Sequence, residues 1–159
     1  MPEKGQSILL GGAAVGIAAA IVNLIPTVGG CISCLLYIAA GIVAVWHYTD
    51  RHQLTITGGQ GAGIGALAGI VAGVAAGVLG YVFQLIGIAP DWRTAMEQGF
   101  DQSGMDPAQM EQMLEWMSSP LFMIGIILVS LIVAAILGAI GGAIGSSLFK
   151  RGTGGVESI

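Results

Sequence analysis

From Gly61 to Gly77 a glycine recurs at every fourth position, at Gly61, Gly65, Gly69, Gly73 and Gly77. Apart from Gly63, the residues between are all Ala, Ile, Leu or Val. In water such a helix is poor, because each interior glycine costs roughly 1 kcal/mol relative to alanine. In a bilayer the backbone must close its own hydrogen bonds, and glycine is tolerated because it lets a second helix come close. The ladder therefore predicts a membrane-embedded helix whose small-residue face is pressed against another helix. It describes construction and names no reaction.

The rest of the chain agrees. Only 9% of its 159 residues are charged and 55% are hydrophobic, against about 25% charged in soluble domains. That excludes an ordinary soluble domain and predicts an integral membrane protein, a single domain over residues 1–159. Net charge is −4, with the acids gathered in one loop, so neither nucleic acid nor an anionic membrane surface is expected as a partner. The bilayer itself is.

Four apolar segments are long enough to cross a hydrocarbon core of about 30 Å. They run approximately over residues 7–25, 31–48, 58–89 and 120–149. Pro26 stops the first, and Thr57 with Gln60 is spaced as a capping box before the third. The expected fold is all-α, a four-helix transmembrane bundle with an extracytoplasmic amphipathic helix between the third and fourth spans. Lys4, Arg51, Lys150 and Arg151 fall on one side and Arg93 alone on the other. The positive-inside rule then puts both termini in the cytoplasm, and residues 90–119 form an outer loop. The plasma membrane of a bacterium is the expected location. Trp46 and Tyr48 at one boundary, and Trp92 and Trp116 near the other, suit interfacial anchors.

Within the outer loop, Asp106 followed by Pro107 is a helix start. Met110, Met113, Leu114 and Met117 recur at i, i+3, i+4 and i+7, an apolar face opposite Glu111 and Glu115. A shorter amphipathic turn is expected over 90–98, with residues 99–104 as its linker. The plain reading of the Met face is a helix lying on the bundle or headgroups. The sharper one is an adaptable surface for a partner.

Candidates for chemistry are few. Cys31 and Cys34 form a Cys-x-x-Cys at the start of the second span, where thiols one turn apart share a face and sit at a helix N-terminus. A thiol-redox role is one reading, and small packing residues, with or without a structural disulfide, is the favoured one. Lys4, an apolar stretch and Val28-Gly29-Gly30-Cys31 also resemble a lipoprotein signal, but a further apolar span follows in place of a polar tether. His47 and His52 flank the Arg51 turn, either as solvated interfacial residues or as a pH-sensing pair. Zinc needs two more ligands, and His47 lies about 24 Å along the helix from Cys31. No metal or other cofactor is expected. Glycines 58–65 follow no strand and precede no Lys-Ser or Lys-Thr, so they are no phosphate loop.

From Ile8 to Trp46, Gly58 to Ala89 and Leu121 to Phe149 there is no Asp, Glu, Lys, Arg or His. Proton relays and many ion-coupled carriers need such groups within the membrane. Ion-coupled transport and intramembrane hydrolysis are therefore disfavoured, and an enzyme is not expected.

Small residues at intervals of four recur as Gly12, Gly16 and Ala20, and as Ala134, Gly138, Gly142 and Ser146. The ladder is expected to pack on the fourth or first span within one chain, with a homo-oligomeric contact as the competitor. A right-handed crossing suits such rows.

The order of a Cys-bearing second helix, the Gly61-Ala62-Gly63-Ile64-Gly65 opening, a polar loop and a Gly141-Gly142 fourth helix ending Leu148-Phe149-Lys150 resembles small, uncharacterised prokaryotic four-span membrane proteins. The resemblance implies an intact four-span protein and carries over no site residues. The leading functional expectation is a non-enzymatic component acting through helix association or partner binding. A small oligomeric pore or uncoupled transporter, and a thiol-redox protein, are the alternatives.

Overall fold

The computed structural model describes residues 4–25, 29–90, 94 and 106–149, and these contain helices and no strand. In order they are α1 Gly5–Val22, α2 Gly29–His52, α3 Gly58–Leu85, α4 Pro107–Met117 and α5 Pro120–Leu148. All but α4 are long and apolar enough to cross a membrane. The chain is an all-α, multi-pass membrane protein. Trp92, Arg93, Lys150, Arg151 and residues 95–105 lie outside the described residues.

Local chemistry sets the helix ends. The Thr57 hydroxyl accepts the Gln60 backbone N–H, and the Gln60 side chain accepts that of Thr57, closing the capping box that starts α3. Asp106 and Ser119 cap α4 and α5 in the same sense, each followed by proline at the first helical position. Past the end of α3, Gly87 takes φ +75°, a left-handed conformation that only glycine adopts freely. That turn ends the helix at Leu85, short of Ala89. At the other end of the bundle, α2 runs on beyond Tyr48 through His52. The Thr49 hydroxyl donates to the Val45 carbonyl at 2.9 Å, so a polar residue is buried there inside a helix.

The four long helices form a ring in which α1 neighbours α2, α2 neighbours α5, α5 neighbours α3 and α3 neighbours α1. α2 and α3 also touch across the short diagonal, while α1 and α5 occupy the far corners. One core cluster, Ala44, Val45, Tyr48, Ile56, Ile64 and Ala68, fills the Arg51 end. A second, Ala19, Ala20 and Ala76 with Leu36, Leu79 and Phe83 against it, fills the opposite end.

Two side-chain hydrogen bonds clasp α1 to its neighbour at both ends. The Ser33 hydroxyl donates to the Asn23 side-chain oxygen at 2.9 Å. Ser7, 1% exposed, shares a 2.9 Å hydrogen bond with His47 Nδ1. Replacing Ser7 with alanine leaves the imidazole nitrogen without this partner and should cost about 1–2 kcal/mol. The loss is measurable as a lower midpoint of thermal unfolding in detergent.

Candidate functional site

The ladder meets α5 in an antiparallel register. A methyl group built on Gly61 would lie 2.5 Å from the Gly142 carbonyl oxygen, and one on Gly65 would collide with the carbonyl of Gly138. One on Gly69 would collide with that of Ala134. The contacts are mutual, because Gly138 faces the Gly65 carbonyl and Gly142 that of Gly61. Each of these glycines directs a Cα hydrogen at the opposing carbonyl, a weak hydrogen bond of about 0.5–1 kcal/mol. Gly41 of α2 points at the same Gly138 carbonyl, and Gly141 points at that of Ile38. Three backbones converge on Gly138. On the other side of α3, Gly12 and Gly16 of α1 press against Ala68, Val71 and Ala72.

The register explains where this closeness ends. With Gly61 opposite Gly142, Gly65 opposite Gly138 and Gly69 opposite Ala134, continuing by fours sets Ser130 opposite Gly73 and Ile126 opposite Gly77. Over these positions the two helices part. Gly73 has only ordinary contact with Ala134 and Leu131 at 3.4 Å, and Gly77 has no neighbouring atom within 4 Å of its missing side chain. The gap is a cavity of about 520 Å³ between α2, α3 and α5, bordered by Tyr37, Gly73, Gly77, Tyr81, Ile127 and Ser130 among others. The Ser130 hydroxyl donates to the Ile126 carbonyl at 2.7 Å. A second cavity of about 420 Å³, bordered by Trp116, Phe122, Gly125 and Ile126, adjoins it along α5. The Trp116 and Phe122 rings meet there at a tilt of 52°, with centroids 4.8 Å apart.

The remaining predicted site residues are not among those bordering this groove. Cys31 and Cys34 are exposed free thiols on α2, with Tyr37 one turn beyond Cys34. Met110, Met113, Leu114 and Met117 all belong to α4, where Leu114 is buried and Met113 exposed. His47 is bonded to Ser7, and the His52 ring lies 5.0 Å from that of Tyr48. Among the described residues no three His, Cys, Asp or Glu side chains gather to hold a metal. The groove was not among the sequence expectations. Its signal is nevertheless present, since the row of small residues in α5, reading from Ala134 through Ser130 towards Pro120, gives way to Ile126 and Phe122.

Comparison with known proteins gives one match. A family model described as a protein of unknown function, DUF4199, matches residues 7–147. No curated protein and no solved structure matches the chain.

Proposed function

We propose that this chain, which belongs to the DUF4199 family of proteins of unknown function, is a non-enzymatic component of a bacterial plasma membrane that works by holding another membrane constituent. Both termini and the Arg51 turn face the cytoplasm, and α4 lies outside. The observation that carries this reading is the division of the ladder. Gly61, Gly65 and Gly69 are consumed inside the chain, whereas the same spacing leaves Gly77 open on the groove. The uncharged lining supports association in place of ion-coupled chemistry.

Native mass spectrometry of the purified protein and of Gly77→Leu tests it. Leucine at this open helical position should fill the groove without disturbing the bundle. The wild type is expected to carry a bound mass, from either a small amphiphile or a second chain, that the variant lacks at an unchanged unfolding midpoint. Identical spectra for the two proteins would count against the reading.

A further inference from the structure

We infer that the small cavity at the Arg51 end of the bundle is a site for one phosphate group, carried by a lipid headgroup or free in solution. It lies apart from the groove and stands whatever the groove holds. The cavity, of about 160 Å³, is bordered by the beginnings of α1 and α3 and by Tyr48 of α2.

Tyr48 carries the argument. The residue is 3% exposed, and its hydroxyl has no hydrogen-bond partner among the described residues. Yet no fully enclosed side-chain oxygen or nitrogen among those residues lacks a partner. The little surface that Tyr48 keeps therefore includes its hydroxyl, open to the cavity it borders. A hydroxyl this deep is paired in most folded proteins, so it calls for an acceptor or donor inside the cavity.

The groups beside it select an acceptor. Gln60 uses its side-chain oxygen on the Thr57 N–H, which leaves its amide N–H groups to donate. Lys4, the N-cap residue of α1, makes no side-chain cap bond and no ion pair among the described residues. No carboxylate borders the cavity among those residues. Ammonium, amide and phenol are thus all free to donate to one anion. The local field has the same sign, because two helices begin here, each bringing about half a positive charge. The opposing end of α2 carries Arg51 and His52 in its last turn.

Size and depth narrow the anion. The volume equals roughly five waters at about 30 Å³ each, which admits a tetrahedral oxyanion and excludes a nucleotide. Tyr48 stands four residues before the end of α2, near the level of lipid phosphates. Leu54, Ile56 and Ile64 form an apolar wall that strengthens each charge-assisted bond. The Ser7–His47 bond fixes α1 against α2 beside these donors.

The test uses the full chain in a non-ionic detergent, with sodium phosphate titrated against sodium chloride at equal ionic strength. A parallel series adds dioleoyl phosphatidylglycerol to the micelles, or the matching diacylglycerol without phosphate. The thermal unfolding midpoint is expected to rise with ligand, because binding to the folded state alone stabilises it. A response to inorganic phosphate assigns the free ion, and one to phosphatidylglycerol alone assigns a headgroup. Tyr48→Phe and Lys4→Gln should each weaken the apparent affinity about tenfold, as loss of one charge-assisted hydrogen bond does. Arg51→Gln, which removes a charge outside the cavity, should leave the affinity unchanged. Midpoints that ignore both probes overturn the inference, as does a lipid response that diacylglycerol equals. So does a response that Tyr48→Phe keeps in full, or that Arg51→Gln loses as far as Lys4→Gln.

Discussion

Gly65→Leu is expected to leave no folded bundle, while Gly63→Leu, two residues away on the same helix, leaves stability unchanged or raised. A side chain on Gly65 meets only backbone, the Gly138 carbonyl and the Gly142 N and Cα at 2.8 Å, so no rotamer change makes room for it. Overpacking in a yielding core costs about 1–3 kcal/mol, and more where nothing yields. Forcing α3 away from α5 also removes the mutual Cα–H contacts at Gly61, Gly138 and Gly142. Against a total stability of about 5–15 kcal/mol, the sum is enough to unfold the protein. At Gly63 nothing lies within 4 Å, and the change only replaces a poor helix former by a good one. Size-exclusion profiles and thermal unfolding in detergent, run side by side, check the pair. Equal behaviour of the two variants would refute the assignment of the ladder's close face to α5. Gly69→Leu belongs with Gly65→Leu, because it meets the Ala134 carbonyl.

The second large effect is expected at Tyr48. Its ring is 3% exposed within the cluster that joins α2 to α3 across the bundle. Truncation to alanine removes an aromatic core side chain at a cost of about 3–5 kcal/mol. In a chain of this length each kcal/mol moves the unfolding midpoint by roughly 2–4 °C. Tyr48→Phe should change it little, because the residue borders a small cavity of about 160 Å³ shared with Lys4 and Gln60. Calorimetry or light-scattering melts of the two variants separate ring packing from the hydroxyl. A Tyr48→Phe protein as unstable as Tyr48→Ala would assign the stability to a polar contact.

Much of this architecture is legible in the residues because two simple periods dominate it. Long apolar runs announce the spans, and the interval of four in Gly61–Gly77 and again in Ala134–Ser146 announces which faces are thin enough to touch. What was harder to read depends on register. Which rungs close and which open follows only after Gly65 is set opposite Gly138, since Ile126 and Gly77 are far apart in sequence. The clasp of Ser7 to His47 spans 40 positions and needs the antiparallel pairing of α1 and α2 to exist at all. The helical course of Thr49–His52 turns on a hydroxyl bonded back to its own helix, which hydropathy counts as a polar break. In α4 the spacing marks an apolar face, but packing selects Leu114 from it for burial and leaves Met113 exposed.

The pairing of α3 with α5 also imposes an order in time. Gly138 follows Gly65 by 73 positions, so at roughly 5–20 residues per second the ribosome delivers the partner several seconds late. Through that interval the α1–α2 hairpin can already dock against α3, yet the close face at Gly61, Gly65 and Gly69 lies bare among lipids or against the insertion machinery. A nascent chain arrested before Pro120 therefore presents its most adhesive surface unmated.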